Sequence, residues 1–245
     1  MKISVLTIFP EMLRPMLESS ILGRAVKNGI LEIELINIRD FSENKHHNTD
    51  DYPFGGGVGM LMMAQPIFSA FEHVKTNESL SIYLSPQGQV FSPQTAKELA
   101  REKHLILLCG HYEGVDQRVL DCLIDRELSI GDYVLTGGEL AALVVIDATA
   151  RFVDGVLGSV DSAWEDSVSV GLLEAPQYTR LADFKGMRVP DVLLNGNHAH
   201  IAAWQREMQL RVTLKKRPDL LINAPLSEED KKIRKNIQTE EKNTC

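Results

Sequence analysis

Cysteine is scarce and unpaired in this chain. Cys109, Cys122 and Cys245 are the three present in 245 residues, and none forms a C-x-x-C pair. An odd, scattered set excludes a disulfide scaffold or a zinc ribbon and fits a reduced, cytoplasmic protein. Long apolar runs are missing as well. The longest are near strand length, far short of the roughly 18–20 residues of a membrane span, so no membrane partner is expected. The opening MKISVLTIFPEM has one Lys, a short apolar run and no small-residue cleavage pattern, so it reads as a buried first strand and not as a signal peptide. Positive charge is in deficit: 26 Lys and Arg stand against 34 Asp and Glu, for a net charge of −8. Taken alone this disfavours a nucleic-acid partner, because phosphate binding rests on Lys and Arg, yet a sum can hide a local basic surface. Internal repeats are absent.

What is present is enough for a packed core, with 44% hydrophobic residues. The first half alternates short apolar runs with amphipathic stretches. Strands are expected over 2–8, 31–38, 80–84, 104–109 and 127–130. Helices are expected over 19–27, 65–75, 93–102, 114–124 and 139–152, with Ser92 as N-cap and Pro93 at the first helical position of the third. Residues 39–60 are polar and then glycine-rich, and read as a loop. Strands alternating with helices define an α/β domain with a mostly parallel sheet. Residues 153–175 are small, acidic and aperiodic, and read as an interdomain linker. Beyond them the chain looks mainly helical. Ile201, Trp204, Met208 and Val212 recur at spacings of three and four, which predicts one apolar helix face. Ser227-Glu228-Glu229-Asp230 reads as a helix start.

Parallel sheets bind ligands at the carboxyl ends of their strands. Three loops occupy those ends here, 85–88, 110–114 and 131–138, all rich in glycine, proline or both. Glycine lets backbone groups approach a ligand closely, so the three could form one pocket, or each could be an ordinary tight turn. Known nucleotide loops do not fit. Phe9-Pro10-Glu11-Met12 follows the first strand where a Rossmann site needs G-x-G-x-x-G, and no Lys-Ser/Thr follows Gly55-Gly56-Gly57-Val58-Gly59. His46-His47 and the pair His198 and His200 lack the spacing of a helical metal motif, which favours structural or RNA-contact roles. Residues 199–218 carry Arg206, Arg211, Lys215, Lys216 and Arg217 against Glu207, a local net charge of +4. A basic helix of this kind suits a nucleic-acid backbone, and it equally suits a solvated surface. Asp166, in the irregular Ala163-Trp164-Glu165-Asp166-Ser167, could act as a base only if another surface closed over it.

Several segments taken together resemble one family. They are DDYPFGGGVGM at 50–60, YLSPQG at 83–88, LLCGHYEGVDQRV at 107–119, SIGDYVLTGGEL at 129–140, RFVDGVLG at 151–158, EDS at 165–167, LLEAPQYTR at 172–180 and VLLNGNHAHIAAWQRE at 192–207. The chain resembles the bacterial tRNA (guanine-N1)-methyltransferases of the SPOUT class, from Met1 to about Leu221. CGHYEGVDQRV combined with SIGDYVLTGGEL is highly specific. The resemblance implies an α/β domain (1–157) with a deep C-terminal trefoil knot and a mostly parallel sheet. It also implies a flexible linker (158–165), a small helical tRNA-binding domain (166–245) and a homodimer.

The same resemblance implies methyl transfer from S-adenosyl-L-methionine to N1 of guanosine 37, next to the anticodon. The cofactor pocket would be Tyr83, Leu84, Ser85 and Pro86 from the first loop, and Gly110, Tyr112, Glu113 and Gly114 from the second. Ile130, Gly131, Asp132, Tyr133, Val134, Leu135, Gly137 and Gly138 would come from the third. Asp166 would be the general base, contributed across the dimer, with Arg151 an assisting cation and Glu113 placed to favour the sulfonium or position the base. Related enzymes also use magnesium, for which the sequence offers no ligand set. The glycine loop and the C-terminal helical part are implied in tRNA contact. Four positions depart from the family pattern: Val58, Ala141 and Leu181 stand where proline is usual, and Gln205 where arginine is.

Two other readings remain at this level. One is a non-catalytic RNA-binding protein with the same fold, against which the intact Glu113, Arg151 and Asp166 argue. The other is a methyltransferase with a different target atom, since SPOUT enzymes also modify ribose and other bases.

Overall fold

A computed structural model of the chain describes residues 1–158, 167–168 and 171–244. It divides into two compact units, Met1–Val160 and Asp161–Cys245. The first is built on five strands: β1 (Lys2–Thr7), β2 (Glu32–Asn37), β5 (Ser79–Val90), β6 (His104–Cys109) and β7 (Arg126–Ser129). They lie in the order β2-β1-β6-β5-β7 and every pairing is parallel. The central position of β6 follows from its sequence. HLILLC is almost continuously apolar and all six residues are buried, as a strand covered on both faces requires.

Alternation along the strands sorts the core into two layers. Ile3, Val5, Leu105 and Leu107 face one side, with Leu13 of α1 (Pro10–Leu17), Leu22 of α2 (Ser20–Lys27) and Val145 and Ile146 of α6 (Glu139–Ala150). Leu6, Ile106 and Leu108 face the other, with Ile67 and Phe71 of α3 (Ala64–Val74) and Val119 of α5 (Gln117–Leu123). His104 opens β6 as a buried polar residue. Its Nε2 lies 2.9 Å from Ser4 Oγ and its Nδ1 2.7 Å from Ser79 Oγ, so both ring nitrogens are satisfied by the flanking strands.

The expected elements of this unit are present with small boundary shifts, and α4 (Pro93–Leu99) is capped by Ser92 as anticipated, its Oγ accepting from Thr95 N at 3.2 Å. Three features differ. α1 was not anticipated; Pro10 stands at its first helical position, where its missing N–H costs nothing. Within 39–60, Ile38–Phe41 forms a 3₁₀ turn, and β3 (Asp50–Asp51) pairs antiparallel with β4 (Leu61–Met62). Finally, β5 does not stop at Ser85-Pro86. It resumes on β7 after a register shift between Leu84 and Gln89, so the first expected loop is a bulge in an edge-ward strand. Gly88 permits that crossing: a Cβ there would lie 2.4 Å from the Glu127 carbonyl carbon.

The second unit holds two long helices, α7 (His198–Lys216) and α8 (Glu228–Thr244), and a small hairpin of β8 (Asp183–Phe184) and β9 (Met187–Arg188). Its core is small: Leu172, Leu210, Leu221 and Ile237. This corrects the expected face of α7. Leu210 and Thr213 are the buried positions of that helix, while Ile201, Trp204, Met208 and Val212 are only partly covered. Thr213 is buried because it is satisfied twice, donating to Gln209 O at 2.6 Å and accepting from Leu173 N at 2.8 Å.

The start of α8 is a reciprocal cap of the expected kind. Ser227 Oγ accepts from Asp230 N at 3.1 Å, and Ser227 N donates to Asp230 Oδ2 at 2.8 Å. Arg206 adds two 2.8 Å bonds to the same carboxylate, and its guanidinium holds the Asp230 carboxyl well below the usual carboxylate range. Arg211 pairs with Glu207 and Glu240, and Arg217 with Asp219. The local excess of positive charge in 199–218 is therefore largely neutralised by acids brought in from elsewhere, leaving Lys215 and Lys216 exposed.

Candidate active site

The three loop segments converge at the carboxyl end of the parallel sheet. The second and third are joined by backbone contacts: His111 and Gly137 form an antiparallel bridge, and Gly138 N donates to Gly110 O at 2.9 Å. Gly138 is needed there, since a Cβ would fall 2.7 Å from Cys109 Cα and 3.0 Å from Gly110 N. The β3–β4 hairpin braces the second loop. Glu113 N donates to Met60 O at 3.0 Å and Met62 N to Gly114 O at 2.9 Å. The third loop is held at its root by Ser129, whose Oγ donates to Gly131 O at 3.0 Å.

One cleft lies between them. From the first segment it is lined by Tyr83, Leu84, Ser85 and Pro86, and from the second by Gly110, Tyr112, Glu113 and Gly114. The third contributes Ile130, Gly131, Tyr133, Val134, Leu135, Gly137 and Gly138. Asp132 is exposed and does not line it. Arg151 lies outside the wall, at the carboxyl end of α6, with its N–H 3.3 Å from Asp147 O. Asp166 lies outside the described residues.

Six more residues complete the wall: Gln87, His111 and Thr136 lie within the three expected loops, Ala141 is one of the departures from the family pattern, and Leu128 and Ser129 at the end of β7 were not anticipated. His111 stands inside GHYEG itself. It has no histidine neighbour in the sequence, unlike His46-His47 or the pair His198 and His200. Ala141, one of the departures from the family pattern, is buried against the cleft. Val58, Leu181 and Gln205 are exposed, and nothing in the structure explains those three substitutions.

The electrostatics beneath the cleft centre on Glu139, which opens α6 and is 1% exposed. Its Oε1 accepts from Thr7 Oγ1 at 2.7 Å, and its Oε2 lies 3.7 Å from His111 Nε2. A buried side chain of this kind must be hydrogen-bonded, and Thr7 supplies that bond, with the His111 ring beside it. Burial, with Glu139 adding to it, pushes the Cys109 thiol up, so this cysteine is an inert core residue. Burial likewise raises the Tyr83 phenol, helped by Glu127, and keeps it neutral.

The cleft presents backbone donors and acceptors from three glycine-bearing segments among the apolar surfaces of Tyr83, Leu84, Ile130 and Leu135. That combination fits a nucleoside: flat apolar walls take a base ring, and backbone groups read its edge and the ribose. Among the described residues no three His, Cys, Asp or Glu side chains are grouped to hold a metal ion. Also among the described residues, no helix is long and apolar enough to cross a membrane.

Fold and cleft together define an α/β protein with a small-molecule site at the carboxyl ends of a parallel sheet. Residues 1–223 match the family described as tRNA (Guanine-1)-methyltransferase TrmD. Proteins named tRNA (guanine-N(1)-)-methyltransferase are similar over nearly their whole length. That of Caldanaerobacter subterraneus subsp. tengcongensis is 58% identical over 94% of this chain and 95% of its own. The Moorella thermoacetica protein is 54% identical over 98% of both chains. The one from Pediococcus pentosaceus is 51% identical over 98% of this chain and 99% of its own. The chain belongs to the tRNA (guanine-N1)-methyltransferase family.

Proposed function

We propose that this chain transfers the methyl group of S-adenosyl-L-methionine to N1 of guanosine 37 in tRNA, beside the anticodon. The convergence of 85–88, 110–114 and 131–138 on one cleft, in a chain of this family, is the observation that carries the reading. The donor supplies an electrophilic methyl carbon on a sulfonium. Tyr83 to Pro86, Gly110, Tyr112, Gly114 and the third-loop residues other than Asp132 hold it. Glu113, on the cleft wall, supplies a negative charge near the cationic donor or the incoming base.

Guanine N1 carries a proton and is a poor nucleophile until that proton leaves. Asp166 accepts it, a step commonly worth about 10²–10⁴ in rate. The N1 lone pair then forms the new N–C bond as the old S–C bond breaks. Arg151 stabilises the negative charge that gathers on O6. The target base must be splayed from its stack to enter. No step is assigned to magnesium.

The active form is a homodimer in which Asp166 of the partner subunit reaches the cleft. Support comes from Met12 and Met16 on α1 and from Leu140 and Val144 on α6, all between 46% and 60% exposed. These helices pack on each other, and Leu140 and Val144 share one exposed face of α6 with Asp147. The reading also takes residues 1–157 as the methyltransferase domain with its trefoil knot, 158–165 as a flexible linker and 166–245 as the tRNA-binding domain of a cytoplasmic enzyme.

Primer extension on tRNA treated with enzyme and donor tests the reaction. Methylation at N1 blocks pairing, so a stop is expected at position 37; a ribose modification leaves the pairing edge free and would give none. Asp166→Asn and Arg151→Ala should each lower methyl transfer by about 10² or more with donor binding retained, and mixed heterodimers of the two should regain activity. Wild-type turnover in Asp166→Asn would remove the base assignment.

A further inference from the structure

We propose that the β8–β9 hairpin of the second unit is a stacking platform for unpaired bases of the RNA substrate; this rests on the proposed function and extends it to a defined surface. The hairpin is built tightly. Phe184 pairs with Met187 and Asp183 with Arg188 in antiparallel register. Lys185 and Gly186 turn the chain with φ of +54° and +82°, the left-handed pair of a two-residue hairpin. Asp183 Oδ1 locks the turn by accepting from Gly186 N at 2.8 Å, and Val189 N extends the pairing to Ala182 O at 2.9 Å.

All four strand residues are exposed, including Phe184 at 55% and Met187 at 64%. A two-stranded ribbon that covers no core gains nothing for folding by placing an aromatic ring and a thioether opposite each other in water. Cations surround the pair. Lys185 Nζ sits 5.4 Å from the Phe184 ring centroid, Arg180 is exposed just upstream, and Arg188 meets Asp191 only at 3.8 Å between strongly exposed side chains. An exposed pair at that separation holds its charge weakly. The contrast with Arg206, Arg211 and Arg217, each tied to acids at 2.9 Å or less, marks the hairpin as a place where this unit offers cations beside an exposed ring. Aromatic rings bordered by Lys and Arg are what single-stranded nucleic acid requires, bases on the faces and phosphates on the charges. A second protein subunit is the poorer occupant, because the centres of protein interfaces are depleted in charge.

The test compares full-length wild type with Phe184→Ala, Phe184→Tyr and the double variant Lys185→Ala/Arg188→Ala. Four readouts are followed: the tRNA KM and kcat of methyl transfer, donor affinity by calorimetry, particle mass by sedimentation, and binding of a fluorescently labelled anticodon stem-loop. Phe184→Ala should raise the tRNA KM and weaken stem-loop binding about tenfold, the loss of one stacked base, leaving kcat and donor affinity unchanged; Phe184→Tyr, which keeps the ring, should restore both. The double variant should lessen the salt dependence of binding by about two phosphate contacts. An unchanged KM, a Tyr variant that fails to restore it, or a wild-type dimer that falls to monomers with Phe184→Ala would overturn the proposal, the last by assigning the surface to a second copy. Stem-loop binding needs no catalysis, so wild type that binds the RNA through Phe184 but transfers no methyl would overturn the functional reading and leave the platform standing.

Discussion

The two units reach stability by different means. The first buries strands: β6 has no exposed residue, and two apolar layers close on it from α1, α2 and α6 on one side and α3 and α5 on the other. The second has four buried apolar residues among those described and relies on polar devices, namely a reciprocal helix cap, a doubly satisfied Thr213 and the Arg206–Asp230 pair. Small assemblies bury too small a fraction of their surface to depend on apolar area alone. The first unit can therefore hold loops in strained, glycine-dependent geometry at its sheet end, while the second spends its charges on itself and leaves a hairpin exposed.

Three changes would break or sharpen this contrast, taken from the largest expected effect to the smallest. Gly138→Ala pushes a Cβ against the backbone of Cys109 and Gly110. Overpacking of this kind costs about 1–3 kcal/mol, and here it separates the second and third loops, so donor affinity should fall at least tenfold in calorimetry while the second unit is unaffected. Normal donor binding would mean that the loop contact does not shape the cleft.

Arg206→Ala has a smaller, opposite reach. Removing one partner of a buried pair often costs about 3–5 kcal/mol; the Arg206 side chain is 37% exposed, and solvent screening brings the expectation to about 1–2 kcal/mol. Hydrogen exchange should quicken in α7 and α8 and stay unchanged in β1 and β6. Equal loosening of the sheet would show that the units do not hold themselves independently.

Acid should separate the units most gently. Burial, with Lys2 nearby, holds the His104 imidazole below its ordinary value of 6.5. Below about pH 6.5 the unfolded chain takes a proton that the folded chain refuses, so the first unit loses stability from there downward. Asp230 is depressed below its ordinary 3.8, so its contribution is whole above that value and disappears as the pH falls further. Exchange across β1 and β6 should therefore rise first, α8 later, and His104→Asn should flatten the early phase. Simultaneous loosening would contradict the assignment of these two groups.

Much of this was legible in the residues. β6 is apolar without interruption because both its faces are covered, and the Ser92 and Ser227 caps follow from short side chains whose oxygens reach the free N–H groups of the next turn. The site loops were legible by position, since glycine and proline clusters sit where the strands end. Less was legible where a residue's role depends on a distant partner. Arg206 reads as a free cation until Asp230, far along the chain, is found beside it.

Local chemistry, then, was set by the sequence: which stretches are strands, which are helices, where they are capped and where glycine frees the backbone. These depend on interactions within a few residues or on a regular spacing. Tertiary structure decided which loops share a cleft, that Glu139 lies buried between Thr7 and His111, that Asp132 stays outside the wall, and that α7 keeps little free charge. Each of these depends on contacts between residues far apart in the chain, and no spacing along it encodes which distant group will arrive.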